Sequence, residues 1–302
     1  MKNESEFRMP KSEVNPKPER RRTHLPQTGA GSDFGIRAAF GFRISDFGFR
    51  LAFMLLVLCC LDSFAAEPRV LVYQRNGKGF VHDNLAASAA AIQELGTKNG
   101  FGVDVSTNAA VFADETLKNY QALIFANSNN EAFENEAQRA AFQRYLRGGG
   151  GFMGIHSSTG SERQWTYFQQ MQGAKFLRHS PLQKFTVNVV APKHPATAHL
   201  PAHWKWEDEC YFFTNLNPGI NVLLAVDTKT LKDPKLATAP GETANGVFPL
   251  AWCHEFEGGR VFYTSLGHKI EYYSDPIFRK HLLGGIRWVM GDSNATTTPH
   301  RP

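Results

Sequence analysis

Short apolar runs alternate with longer amphipathic segments between residues 69 and 155, and this pattern predicts strands alternating with helices. Arg69–Tyr73 is β-branched and Ala122–Ala126 is wholly apolar, and both have the length of a buried strand. The predicted strands are residues 69–73, 101–105, 122–126 and 152–155, and the predicted helices are residues 82–98 and 135–146. Such alternation favours an α/β fold with a mostly parallel central sheet and helices on both faces.

The pattern changes after residue 171, where strands follow one another without long helices between them. We predict a short helix at residues 164–171, strands at residues 184–190, 222–226, 247–252 and 260–264, and a closing helix at residues 275–290. Residues 194–211 are predicted to form a long loop rich in histidine, tryptophan and acidic residues, and loops of that length are more often functional than filler. This half is therefore expected to extend the sheet and to supply functional loops.

The apolar run at residues 51–61 has the length and the flanks of an export signal. Arg43 and Arg50 precede it, and Ser-Phe-Ala-Ala at residues 63–66 follows as a small-residue cleavage site. The run is too short to span a membrane, since a spanning helix needs about 20 apolar residues. We therefore predict a signal peptide at residues 51–66, a periplasmic or secreted protein and no stable membrane span after cleavage, with a retained anchor as the alternative.

The flanks of the chain differ in character from the segment between them. Residues 1–50 are polar and basic and contain Ser-Asp-Phe-Gly twice, at residues 32–35 and 45–48. Signal peptides rarely carry so long an n-region, so this tract is predicted to be disordered or to come from an over-extended start site. The tail at residues 292–302 is also predicted to be disordered, which leaves a single domain at residues 67–291.

The net charge gives no support for nucleic-acid binding. The whole chain carries a formal charge of +5, but the first 66 residues hold ten of its 33 basic and seven of its 28 acidic residues. The remaining segment is nearly neutral, whereas nucleic-acid-binding proteins usually carry a basic stripe. We therefore do not expect this protein to bind nucleic acid.

Two features of the sequence bear on cofactors. Cys210 and Cys253 lie in apolar, aromatic contexts that favour buried thiols, although an oxidising compartment would allow them to pair. The glycines at residues 148–151 precede a predicted strand, whereas a dinucleotide fingerprint follows one. No cofactor is evident from these motifs.

One histidine stands at the end of the strand predicted at residues 152–155. In doubly wound folds the turn after such a strand aims one side chain into the crevice at the carboxyl ends of the strands. A nucleophile elbow places serine or cysteine there, but this chain has His156. Histidine is well suited to acid or base chemistry near neutral pH, so we predict a pocket built on His156. An ordinary turn with a surface histidine is the alternative.

Several short motifs, taken in their order, resemble the ThuA-like (trehalose-utilisation) family. They are Gly-Phe-Val-His at residues 79–82, residues 149–160, residues 173–179, His-Pro at 194–195, Asp-Glu-Cys-Tyr at 208–211 and residues 259–268. The resemblance implies a flavodoxin-like, class I glutamine amidotransferase-like fold and a role in sugar or glycoside utilisation. Glutamine amidotransferase activity itself is not expected, because that reaction needs a cysteine where His156 stands.

These motifs supply the candidate catalytic residues, which are His156, His82, His268 and Glu209. If the fold is as predicted, His82 and His156 converge on one crevice, and His268 follows the last strand closely enough to join them. Glu209 could orient a histidine or take a proton. Imidazole and carboxylate groups are also common metal ligands, so a divalent metal is an open alternative, although no local signature such as H-E-x-x-H supports it.

The candidate substrate-binding residues are His179, Trp206, Tyr211 and His254. The aromatic rings among them could stack on a sugar or could simply pack in the core. The predicted function is an exported enzyme that acts on a disaccharide or keto sugar by histidine acid/base chemistry. The alternatives are a non-catalytic carbohydrate-binding module, which would deliver sugar to a partner sugar dehydrogenase, and a metal-dependent hydrolase.

Overall fold

A computed structural model describes residues 67–292. The strands in this part of the chain are β1 (Arg69–Tyr73), β2 (Gly102–Ser106), β3 (Ala122–Ala126), β4 (Gly151–Ile155), β5 (Lys175–His179), β6 (Gln183–Val189), β7 (His203–Asp208), β8 (Tyr211–Thr214), β9 (Asn221–Val226), β10 (Pro249–Phe256) and β11 (Gly259–Thr264). The α-helices are α1 (Leu85–Asn99), α2 (Asp114–Leu117), α3 (Glu136–Arg147), α4 (Thr166–Gln172) and α5 (Pro276–Met290).

Nine of these strands form one sheet in the order β2-β1-β3-β4-β11-β10-β9-β6-β7. The first five strands pair in parallel, and their order is the flavodoxin-like one. From β11 onward every pairing is antiparallel, and β6 pairs with β9 although two strands lie between them in the chain. β5 and β8 form a separate two-stranded sheet. The α/β fold class is confirmed, with few helices over the antiparallel extension.

Successive residues of the parallel strands face opposite sides of the sheet, which is why helices cover both faces. On β1, Val70 and Val72 pack in the core shared with α1 and α5. Leu71 and Tyr73 point the other way, into the core shared with α3 and α4. The apolar runs therefore read as continuous, because both faces of these strands are buried.

The loop predicted at residues 194–211 is partly wrong, because it contains β7 and the first residue of β8. In β7 the buried rings of Trp204 and Trp206 alternate with the exposed side chains of His203 and Lys205. That period of two is typical of a strand with one buried face. The strand β5 was also absent from the prediction.

The predicted leader at residues 1–66 and most of the predicted tail lie outside the described residues. Within residues 67–292, none of the helices has both the length and the hydropathy needed to cross a membrane. Cys210 and Cys253 are buried free thiols rather than a disulfide.

Candidate active site at the carboxyl ends of the parallel strands

His156 occupies a sharp turn directly after β4. Its φ angle of 51° lies in the left-handed region, which a non-glycine residue rarely adopts and which costs about 1–3 kcal/mol. Tyr263 on the neighbouring strand β11 secures the turn, because its hydroxyl donates to the His156 carbonyl at 2.7 Å. The His156 side chain has no exposed surface, so the alternative of a surface histidine on an ordinary turn is wrong.

Hydrogen bonding determines which ring nitrogen of His156 faces the pocket. Nδ1 lies 2.7 Å from the carbonyl oxygen of Ser265, which can only accept, so Nδ1 carries the proton. In the neutral ring the other nitrogen, Nε2, then presents a lone pair. The hydroxyl of Tyr211 lies 2.8 Å from Nε2 and donates to it.

The side chains predicted to be catalytic all meet at His156 Nε2. His82 Nε2 lies 3.2 Å from it and His268 Nδ1 lies 3.3 Å from it. Glu209 Oε2 is 3.8 Å from His156 Nε2 and 3.4 Å from His268 Nδ1. One nitrogen from each of the three histidines lies within 4.8 Å of the others, so these rings could share a cation. We call His82, His156 and His268 the histidine cluster.

Burial controls the protonation of the histidine cluster. It lowers the pKa of His156 well below its usual value, and the neighbouring His82 lowers it further. Burial likewise lowers the pKa of His82 to about 4, with a further contribution from His268. Near neutral pH both rings are therefore uncharged, so each presents one lone pair that can accept a proton or bind a cation.

Two buried polar residues that sequence reasoning did not assign to the site hold its loops in place. Asn84 Nδ2 donates to the carbonyls of Gly267 and His268, at 2.8 and 2.7 Å. Asp208 accepts the backbone N–H groups of Glu209 and Gly267, both at 2.9 Å. Burial raises the pKa of Asp208 to about 7. The sequence signal for Asp208 is its position beside Glu209, whereas Asn84 falls inside the helix predicted at residues 82–98.

A cavity of about 590 Å³ opens above the histidine cluster. Tyr211 and Glu209 line its inner part, and His179 stands at its edge with Nδ1 3.2 Å from Glu209 Oε1. Phe80 and Phe176 contribute apolar surface to the same cavity. Its volume lies within the range of about 300–1,000 Å³ that is typical of small-molecule sites.

Two of the predicted substrate-binding residues lie outside this cavity. Trp206 packs against Trp204 with ring centroids 4.4 Å apart, and it lines a separate cavity of about 580 Å³. His254 is buried on β10, with its ring beside Gly173 at the end of α4. The structure therefore brings His179 and Tyr211 to the histidine cluster but leaves Trp206 and His254 apart from it.

Solved structures with a related fold include several bacterial proteins. A ThuA-like protein from Bacteroides uniformis ATCC 8492 is 26% identical, with a TM-score of 0.60 over 75% of this chain and 93% of its own. A ThuA-like protein from Parabacteroides merdae ATCC 43184 is 17% identical, with a TM-score of 0.58 over 77% and 92%. A cytoplasmic protein from Salmonella typhimurium LT2 shares the fold at 13% identity, with a TM-score of 0.52 over 73% and 99%.

Comparison of the sequence gives a family match but no curated relative. A search of curated proteins finds no match to the chain. The family model for ThuA, described as trehalose utilisation, matches residues 69–289, which is most of the chain and includes the whole site. This protein therefore belongs to the ThuA family.

Proposed function

We propose that this protein is an exported enzyme that acts on a disaccharide or an oxidised sugar by proton transfer in the pocket above the histidine cluster. One observation carries the proposal: three imidazole nitrogens and the Glu209 carboxylate converge beneath a cavity of small-molecule size. The family description, trehalose utilisation, favours a carbohydrate as the ligand. The apolar run at residues 51–61 supports export.

The walls of the cavity suit a sugar ring. Phe80 is 66% exposed, and its ring lies edge-on to that of His82 with centroids 4.8 Å apart. Phe176 and Arg163 lie on the same wall, with the guanidinium 5.5 Å from the ring centroid. Such a surface offers apolar faces for the C–H groups of a sugar and polar groups for its hydroxyls, as small-molecule sites commonly do.

Glu209 is the side chain best placed to move protons. Its carboxylate touches the histidine cluster through Oε2 and the half-exposed His179 through Oε1. Glu209 can therefore take a proton from the substrate and return it to the product, while His179 Nδ1, which donates to the Ser180 carbonyl at 2.8 Å, orients the carboxylate. His156, fixed by Ser265, accepts the Tyr211 hydroxyl hydrogen at Nε2 and so positions Tyr211, which lines the cavity. An oxidised-sugar substrate needs a dehydrogenase to supply it, which gives a partner enzyme a place in the proposal.

The test is to incubate the full-length protein with trehalose, related glucosides and their keto derivatives. Mass spectrometry detects the products. Glu209→Gln keeps the shape of the side chain but cannot take a proton, so we expect kcat to fall about 10²–10⁴-fold. His203→Gln changes an exposed histidine on β7 and serves as the control. Sugar binding without any product would sink the enzyme proposal and favour a carbohydrate-binding module.

A further inference from the structure

The contacts around His156 Nε2 cannot all be hydrogen bonds. A neutral imidazole nitrogen has one lone pair, and the donation from Tyr211 at 2.8 Å uses it. His82 Nε2 and His268 Nδ1 nevertheless approach the same atom to 3.2 and 3.3 Å. His82 Nδ1 is buried and finds no hydrogen-bond partner among the described residues, so this ring is not fixed by the protein from its other side. Convergence of this kind indicates a missing central group.

Two of the three separations between these nitrogens fit a metal ion, and the third, between His82 and His268, lies within 4.8 Å. Zinc binds imidazole nitrogen at about 2.0–2.1 Å in a tetrahedral arrangement, which places two nitrogen ligands about 3.3–3.4 Å apart. The separations from His156 Nε2 to the other two rings are close to that value. Glu209 Oε2, at 3.4 Å from His268 Nδ1, lies beside the position that a fourth ligand would take.

The surroundings of the histidine cluster are those of a metal site. A metal-binding histidine almost always donates its other N–H to a carbonyl or carboxylate, and His156 Nδ1 donates to Ser265. The loop that carries His268 is held from two sides, by Asn84 and by Asp208. These contacts fix the His156 ring and the backbone that carries His268.

We infer that His82, His156 and His268 bind one divalent transition-metal ion such as zinc, with the fourth coordination position open to the cavity and to Glu209. Three histidines with an open position are typical of a catalytic rather than a structural zinc site. The ion binds the lone pair of His156 Nε2, to which the Tyr211 hydroxyl otherwise donates. It acts as a Lewis acid toward a carbonyl or hydroxyl oxygen of the sugar. That role rests on the proposed function, whereas metal binding is testable apart from it.

The experiment measures metal binding by the full-length protein, purified without a histidine tag. The chelated protein is titrated with Zn²⁺ by calorimetry, and the visible absorption of Co²⁺ reports the coordination geometry. We expect one ion per chain with a tetrahedral Co²⁺ spectrum. His82→Ala and His268→Ala should each weaken Zn²⁺ binding by more than about 100-fold, because even residues that only support a ligand are worth about 10–100-fold.

Controls separate this inference from the proposed function. His203→Ala removes an exposed histidine and should bind Zn²⁺ like the wild type. Glu209→Gln should keep most of the Zn²⁺ affinity even where turnover is lost. Zn²⁺ binding without turnover of any sugar would support the metal site and overturn the sugar enzyme. Absence of stoichiometric binding, or equal binding by the wild type and His82→Ala, would overturn the metal site and leave the sugar enzyme standing.

Discussion

His281 and two histidines of the cluster, His82 and His156, are buried, but the cluster and His281 lie on different parts of this molecule, and only the cluster has the chemistry of a site. The histidine cluster stands at the carboxyl ends of the parallel strands. His281 lies on α5, against the face of the sheet. His281 Nδ1 donates to the Ala196 carbonyl at 2.8 Å, and Nε2 accepts from the Thr264 hydroxyl at 3.1 Å. Both nitrogens of that ring are satisfied within the protein, so it is a structural residue.

Burial and pKa do not distinguish the two groups. Burial lowers the pKa of His281 to about 3 and that of His82 to about 4. The difference lies in the partners: both nitrogens of His281 are bonded to groups that are fixed in the fold, whereas nitrogens of the cluster approach one another beneath a cavity. A perturbed pKa therefore identifies a functional residue only when the geometry leaves a nitrogen available.

The largest expected effect on stability comes from exchanging the two kinds of histidine for alanine in the metal-free protein. We expect His281→Ala to lower the free energy of unfolding by about 2–4 kcal/mol, because it leaves a cavity and strands the Ala196 carbonyl and the Thr264 hydroxyl. His82→Ala removes a ring with an unbonded buried nitrogen and should cost only about 1 kcal/mol. Urea unfolding measures both values.

Ligand binding should show the opposite order for these two variants. His281→Ala is expected to keep its Zn²⁺ affinity, since α5 supplies none of the cluster, and His82→Ala is expected to lose it. Equal losses of stability, or loss of Zn²⁺ binding in His281→Ala, would remove the distinction between a structural and a functional histidine.

Much of the parallel part of the sheet and of the histidine cluster could be predicted from the sequence, because both depend on the pattern of apolar residues along the chain. The strand before His156 is a run of apolar and small residues. That run predicts a buried strand, and His156 directly after it predicts a turn that presents this side chain. β1 and β3 have the bounds predicted for them, since a strand buried on both faces reads as an unbroken apolar run. The approach of His82 and His268 to His156 follows from the parallel topology, which gathers strand ends at one edge.

The parts that were not predicted depend on tertiary contacts. The histidine-rich and acidic composition around β7 favours a loop, although Trp204 and Trp206 alternate with polar residues as in a strand with one buried face. Trp206 was expected near the substrate, but it packs on Trp204, Tyr272 and Phe278. The role of Asp208 depends on which N–H groups surround it after folding, and no local pattern shows that.

Asp208 is a buried ionisable group that supports the site without lining the cavity. Its two oxygens accept from Glu209 N–H, Gly267 N–H and Trp206 Nε1–H. In Asp208→Asn an NH₂ group must face at least one of these donors, so we expect a loss of about 1–3 kcal/mol in the free energy of unfolding. Differential scanning calorimetry would follow the stability, and a Zn²⁺ titration would follow the placement of His268.

A matched exchange is available at another aspartate. Asp227 Oδ1 accepts only the N–H of Lys229 at the start of a short turn, and asparagine can make the same bond. Asp227→Asn should therefore change stability by less than about 0.5 kcal/mol. If the two variants lost equal stability, the three-donor contact at Asp208 would not be what holds the loops.

The smallest effect separates the two histidine groups by pH in the metal-free protein. Because the folded-state pKa of His281 is lowered from 6.5 to about 3, the unfolded chain binds a proton that the folded chain does not between these pH values. The stability from this residue is complete above pH 6.5 and falls as the pH drops, by about 1.4 kcal/mol per pH unit. Urea unfolding between about pH 6.5 and pH 4.5 should show this slope reduced by that amount in His281→Asn.

The same exchange at the exposed His203 is the control, and an equal change in slope for both variants would mean that burial of His281 is not the cause. A reduced slope in His281→Asn with unchanged Zn²⁺ affinity at neutral pH would show that this histidine serves the fold, because its proton is linked to unfolding and not to the ligand.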